Sequence, residues 1–182
     1  DFVWVAHPAM QRRLDMSSNA TVDQEITNRL MPKFDSLYEL GVREFGIFMD
    51  DITIGEGLQQ KYTQPYLIDQ VQKRLYATYN TPDAKEEDKV KPLFYTPTWY
   101  TYGLGYADMQ NQCMEAFKQS NVHEDVVICF TGDAVCGPIN NSSCENFATR
   151  TGRKPCIWWN YPVNDYSDAQ LFTDRIDANF SV

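Results

Sequence analysis

Short apolar runs and longer amphipathic stretches alternate along the chain. Phe2 to Pro8 (Phe-Val-Trp-Val-Ala-His-Pro) is aromatic and β-branched and is ended by proline, which predicts a strand. Asp23 to Leu40 carries Ile26, Leu30, Phe34, Leu37, Tyr38 and Leu40 at helical spacing with Gly41 as a stop, while Pro32 inside it predicts a bend or a second start. Met10 to Val22 reads as a polar loop. Glu44 to Asp51 (Glu-Phe-Gly-Ile-Phe-Met-Asp-Asp) has the nearly continuous apolar body of a strand buried on both faces. Thr53 to Gly57, with two glycines, reads as a flexible link, and Tyr66 to Tyr79 as a helix.

The same rhythm continues to the end. Pro92 to Tyr100 predicts a strand, Tyr102 to Gly105 a loop, Ala107 to Ser120 a helix and Val126 to Asp133 a strand. Ser142 to Thr151 predicts a short helix, Pro155 to Tyr161 a fifth strand, and Asp168 to Asp177 a helical tail. Strands and helices therefore alternate with a period of roughly 30 to 45 residues, the pattern of βα units around a parallel sheet. Polar and aromatic side chains gather where each strand ends: His7, Asp50-Asp51, Thr98-Trp99-Tyr100, Thr131 with Asp133, and Trp158 with Asn160 and Asp165. A doubly wound sheet concentrates its site at one switch point, whereas a (β/α)8 barrel spreads it over all strand ends. The expected fold is α/β, a partial (β/α)8 TIM barrel with five visible parallel strands and its ends missing. Residues 1–182 would form one catalytic barrel domain, incomplete at both ends, because such barrels typically need about 250 residues.

Composition narrows the partners. With 182 residues, 43% of them hydrophobic, the chain suffices for one core. A net charge of -9 argues against nucleic acid or an anionic membrane and suits a neutral substrate such as a sugar. No apolar run reaches the length of a membrane-spanning helix, so no membrane insertion is expected. The start at Asp1, inside a predicted strand, suggests a processed or excised piece. The five cysteines show no C-x-x-C pair and no zinc signature. Cys129 and Cys156 fall in strand-like runs and read as buried, whereas Cys136 and Cys144 flank a loop and would either close a disulfide in an oxidising compartment or stay reduced.

The candidate chemistry centres on Asp50 and Asp51. Two adjacent carboxylates repel, so the pair holds one proton more tightly than an isolated aspartate, and one member can donate while the other stays ionised. The same dipeptide is ordinary in a solvated turn; the buried strand feeding it is what sets this one apart. His7 reads as structural or supporting, since nothing near it in sequence is a nucleophile. Trp99, Tyr100, Trp158, Trp159, Tyr161 and Tyr166 would offer platforms for a sugar ring, and Asn160, Asn164 and Asp165 directional hydrogen bonds. Ordinary glycosidases place two carboxyls across the scissile bond, about 5 to 5.5 Å apart for retention or about 6.5 to 9.5 Å for inversion, which neighbours in sequence do not easily do. Acting from one side, with a substrate group as nucleophile, they fit the substrate-assisted exception.

These segments, together with Leu-Gly-Val-Arg-Glu-Phe-Gly-Ile-Phe-Met-Asp-Asp-Ile, Thr-Pro-Thr-Trp-Tyr, Phe-Thr-Gly-Asp and Ile-Trp-Trp-Asn-Tyr-Pro-Val-Asn-Asp-Tyr, resemble family 84 glycoside hydrolases. That family comprises β-N-acetylglucosaminidases, among them O-GlcNAcases and bacterial enzymes labelled hyaluronidases, and the wording here is closer to the bacterial members. The resemblance implies a retaining exo-enzyme that removes terminal β-linked GlcNAc through an oxazoline intermediate. Asp50 would orient and polarise the 2-acetamido group, and Asp51 would be the general acid/base. Tyr100 would hydrogen-bond near the acetamide, Trp158 wall its methyl, Asn160 support the acetamide and acid, and Asp165 hold the 4- and 6-hydroxyls. No metal or organic cofactor is implied, and the partner would be a terminal β-GlcNAc glycan or glycoprotein. A secreted or cell-surface bacterial location is expected.

The family's two earlier strands, with a glycine and a lysine at the sugar, and its last strand, with an asparagine, have no counterpart here, so the chain reads as strands three to seven of the barrel. Two other readings stand beside this one. A non-catalytic glycan-binding module derived from the same barrel would keep the pocket without turnover, although retention of both aspartates speaks against it. A phosphoesterase holding Mg²⁺ on Asp50, Asp51 and Asp133 is the third, disfavoured by only two histidines and no basic phosphate cradle.

Overall fold

The computed structural model describes residues 2–136 and 140–157. Their five strands form one parallel sheet in chain order: β1 (Val3–Ala6), β2 (Glu44–Phe48), β3 (Phe94–Thr96), β4 (Val127–Phe130) and β5 (Cys156–Ile157). The register sets Ala6 beside Ile47, Phe48 beside Thr96, Tyr95 beside Ile128 and Cys129 beside Cys156. A sheet that advances one strand at a time never reverses its strand order and so has no switch-point crevice. It is the arc of a (β/α)8 barrel, with all carboxyl ends at one rim.

Between β1 and β2 the chain makes α1 (Asn19–Glu25) and α2 (Met31–Glu39), joined by a π-helical turn at Ile26–Leu30. Pro32 explains the turn: it lacks the N–H that the Asn28 carbonyl would receive and its ring crowds that carbonyl, so the helix widens by one residue instead of stopping. The helix also begins earlier than its apolar spacing predicts, inside the expected loop. Ser18 caps it: Thr21 N–H donates to Ser18 Oγ at 3.2 Å and Ser18 N–H donates to Thr21 Oγ1 at 3.0 Å.

The expected flexible link after Asp51 is instead a helix, α3 (Ile54–Gln59). Thr53 and Glu56 form a capping box: Glu56 N–H donates to Thr53 Oγ1 and Thr53 N–H to Glu56 Oε2, both at 3.2 Å. These bonds offset the conformational entropy lost on ordering the two glycines. Further on, α4 (Thr63–Tyr79), α5 (Ala107–Gln119) and α6 (Asn141–Thr151) complete the outer layer. No disulfide links the cysteines; Cys144 lies buried within α6, turned to the core. None of the described helices is long and apolar enough to cross a membrane.

The core lies between the outer face of the sheet and these helices. Phe45, Ile47 and Met49 of β2 and its exit are fully buried there, with the Phe34 ring of α2 4.9 Å from that of Phe45. Each such side chain contributes about 1.5–3 kcal/mol by leaving water. A second aromatic cluster seats Trp99 against Phe117 of α5 and Phe147 of α6, each at 5.7 Å. Trp99 is therefore core and not a sugar platform: the bend after β3 turns its indole outward under the helices.

Candidate active site at the carboxyl end of the sheet

Alternation along β2 decides where Asp50 points. Since Phe45, Ile47 and Met49 face the helices, Gly46, Phe48 and Asp50 face the barrel axis. The backbone just before Asp50 is fixed from β3: Met49 N–H donates to the Thr96 carbonyl at 2.8 Å, and Thr98 Oγ1 donates to the Met49 carbonyl at 2.8 Å. Gln64 of α4 donates from Nε2 to Thr98 Oγ1 at 3.2 Å and accepts at Oε1 from the Tyr95 hydroxyl at 3.0 Å. All three side chains are buried, so this is a neutral network in a medium where each bond is stronger than in water. Gly57 of α3 lets that helix close over it, for a Cβ there would sit 2.7 Å from Thr98 Cγ2.

Asp50 and Asp51 then diverge. The Asp50 side chain is 4% exposed and that of Asp51 66%. Burial raises the proton affinity of Asp50; a hydrogen bond from its own backbone lowers it, the charge of Asp51 raises it again and His7 lowers it, with a net rise above the ordinary carboxylate value. His7, leaving β1, lies between the two: its Nε2 is 3.5 Å from Asp50 Oδ1 and 3.6 Å from Asp51 Oδ2. These separations are ion-pair distances, longer than good hydrogen bonds. Among the described residues neither His7 ring nitrogen, nor Asp50 Oδ1, has a hydrogen-bond partner, although all three atoms are buried. Sequence spacing had no means of revealing this contact, which joins positions 7 and 50 through the pairing of β1 with β2.

The other expected site residues divide. Tyr100 is half-buried at the same rim, its backbone held by N–H to the Pro97 carbonyl at 3.1 Å and by its carbonyl accepting from Thr131 N–H at 2.9 Å. Trp158, Asn160 and Asp165, together with Trp159, Tyr161, Asn164, Tyr166 and the Asp168 to Asp177 tail, lie outside the described residues. Asp133, after β4, is exposed and accepts from Asn140 Nδ2 at 2.8 Å. Among the described residues no group of three His, Cys, Asp or Glu side chains is arranged to hold a metal ion, so Asp50, Asp51 and Asp133 do not converge as the phosphoesterase reading requires. Burial pushes the Cys113 and Cys144 thiols up to about 11, which leaves them poor nucleophiles. Beside Asp50 opens a cavity of about 430 Å³ whose walls include Ile52, Ile54, Leu104, Tyr106 and Met109, an apolar flank that strand-by-strand reading did not anticipate.

The site thus offers one buried and one exposed carboxyl, side by side, with an imidazole against both. Comparison with known proteins supplies the family. The chain matches the beta-N-acetylglucosaminidase (NAGidase) family over residues 1–179. Among solved structures it is similar to CpGH84D, at 26% identity and a TM-score of 0.68 over 91% of this chain and 25% of that one. It is likewise similar to CpGH84B, at 27% identity and a TM-score of 0.64 over 92% of this chain and 27% of that one. The chain spans about a quarter of the length of these two proteins. By its match over nearly its whole length, the chain belongs to the beta-N-acetylglucosaminidase family.

Proposed function

We propose that this chain carries the acid/base centre of a retaining exo-β-N-acetylglucosaminidase, a glycoside hydrolase acting on terminal β-linked GlcNAc with help from the substrate's own acetamido group. Residues 1–182 would be one part of its catalytic barrel. The observation that carries the reading is the difference in burial between Asp50 and Asp51. Asp50 is buried, aimed at the barrel axis and has an acceptor oxygen without a partner among the described residues, which suits the N–H of an acetamido group. Accepting that proton makes the acetamido carbonyl oxygen more nucleophilic as it attacks the anomeric carbon. Asp51, two-thirds exposed, suits a group that gives a proton to the departing oxygen and later takes one from water.

The proton affinity of Asp50 is raised, and taken alone this would make Asp50 the acid. Geometry favours the opposite assignment: a carboxyl sealed from solvent cannot readily exchange protons with leaving group and water, whereas its desolvation is offset once a substrate N–H reaches it. Tyr100, Trp158, Asn160 and Asp165 are proposed to bind the sugar as the family resemblance implies.

The test is hydrolysis of an aryl β-N-acetylglucosaminide beside the matching β-glucoside by the full-length protein and its Asp50→Asn and Asp51→Asn variants. Cleavage of the acetamido sugar alone, lost in both variants, is the expected result. A folded full-length protein that binds GlcNAc without cleaving either substrate would instead be a glycan-binding module.

A further inference from the structure

We infer that His7 is a positioning residue for the carboxylate pair, its imidazole holding Asp50 and Asp51 on one side of the barrel mouth and offsetting their mutual repulsion. The inference rests on the functional reading above and deepens it. Two anionic carboxyls adjacent in sequence would otherwise rotate apart, and each ångström matters for a pair that must address one acetamido group and one glycosidic oxygen. His7 Nε2 is nearly equidistant from them, at 3.5 and 3.6 Å, on a ring whose nitrogens are both buried. Its place is set by the sheet: Ala6 pairs with Ile47, so the next residue of β1 stands beside the exit of β2.

The surrounding charges leave this task to His7. Arg12, Arg29 and Lys33 line, together with His7, a second cavity of about 400 Å³ beside β1. Arg29 is engaged by the Arg13 carbonyl at 3.0 Å and by Glu25 at 2.7 Å. Lys33 lies over the Trp4 ring at 4.8 Å. From β4, Cys129 faces Asp50, but burial keeps its thiol protonated and uncharged. Among the described residues, His7 is the basic side chain within ion-pair distance of either aspartate.

The sign of the effect follows. Asp50 must be ionised to accept the acetamido N–H, and His7 favours that ionised form while burial and Asp51 oppose it. Removing His7 lets Asp50 take up its proton at higher pH. The test is the pH profile of kcat/KM on an aryl β-N-acetylglucosaminide for the full-length wild type, His7→Ala and His7→Gln. His7→Ala should lower kcat by about tenfold or more with little change in KM, and move the acid limb of the profile to higher pH. His7→Gln, which keeps an N–H but carries no charge, should fall between it and the wild type. If His7→Ala does not fold, the glutamine variant decides, because a merely structural role would leave its acid limb at the wild-type position. An unmoved limb in an active variant overturns the inference alone, and a wild type without turnover overturns the functional reading and the inference together.

Discussion

Among the described residues, two strands of this sheet lead into aspartate, and only one of these two ends looks like chemistry. After β4, Thr131 donates from Oγ1 to the Ala134 carbonyl at 2.8 Å, the Gly132 carbonyl receives Tyr102 N–H at 2.9 Å, and Asp133 accepts from Asn140, the cap of α6. The polar atoms there fasten a loop to a helix. After β2 the backbone is equally well tied, by Thr96 and Thr98, but the side chains are not: Asp50 Oδ1 and both His7 nitrogens are buried without hydrogen-bond partners among the described residues. Buried polar groups in folded proteins are nearly always satisfied, so the end that leaves three such atoms without partners among the described residues is the one we propose as the ligand site. A satisfied aspartate stabilises; an unsatisfied one costs stability and gains reactivity.

That contrast can be broken at several points. The largest effect is expected from Asp51→Asn and Asp50→Asn, each lowering kcat/KM on an aryl β-N-acetylglucosaminide by about 10²–10⁴-fold, the usual span of acid/base contributions. Next is Thr98→Val, which keeps the shape of the side chain but strands the Met49 carbonyl and Gln64; a loss of about 1–3 kcal/mol in urea unfolding is expected, with reduced kcat as the Asp50 backbone loosens. Gly57→Ala sets two effects against each other. Alanine gains up to about 1 kcal/mol of helix propensity. Its Cβ also meets Thr98 Cγ2 at 2.7 Å, on a short side chain pinned by its own hydrogen bonds. Overpacking of about 1–3 kcal/mol should win, giving a lower urea midpoint.

A smaller effect tests the cost of the unsatisfied end. Because the proton affinity of Asp50 is raised on folding, its ionisation opposes folding. The penalty is absent below the unfolded carboxylate value of about 3.9 and grows as pH rises through the folded value. The inactive Asp50→Asn protein should therefore melt higher than the wild type at neutral pH, with the gap closing on acidification. Equal melting temperatures at neutral pH would mean that the carboxylate is stabilised in some other way. Smallest of all, Asp133→Asn should stay within about 0.5 kcal/mol of the wild type and retain its kcat/KM, since Asn140 can be held by an amide as well as by a carboxylate.

Much of this architecture was legible in the chain because its signals are local. The apolar run Phe45 to Met49 marks a buried strand whatever surrounds it, and the carboxylates after it fall at the strand end by counting. Local signals misled where two competed. Gly55 and Gly57 spoke for flexibility while Thr53 and Glu56, three residues apart, spelled a helix cap, and the cap prevailed. Ser18 was the same signal hidden in a polar stretch. Trp99 packs in the core and not at the rim; the sequence does not say which way a residue turns after a strand ends. The strand-end pattern puts His7 at the same rim as Asp50, but their contact depends on which strands pair and in what register, and no pattern within either segment encodes that.

The most direct test of the central claim, that the Asp50 end of the sheet serves an acetamido nucleophile, is a series of aryl β-glucosaminides bearing acetyl, fluoroacetyl, difluoroacetyl and trifluoroacetyl groups on nitrogen. Each fluorine withdraws electrons from the carbonyl oxygen that would attack. The kcat/KM of the full-length protein is expected to fall steeply and progressively along the series. Rates that do not change with fluorination would contradict it, leaving Asp50 and Asp51 to act without the substrate's help.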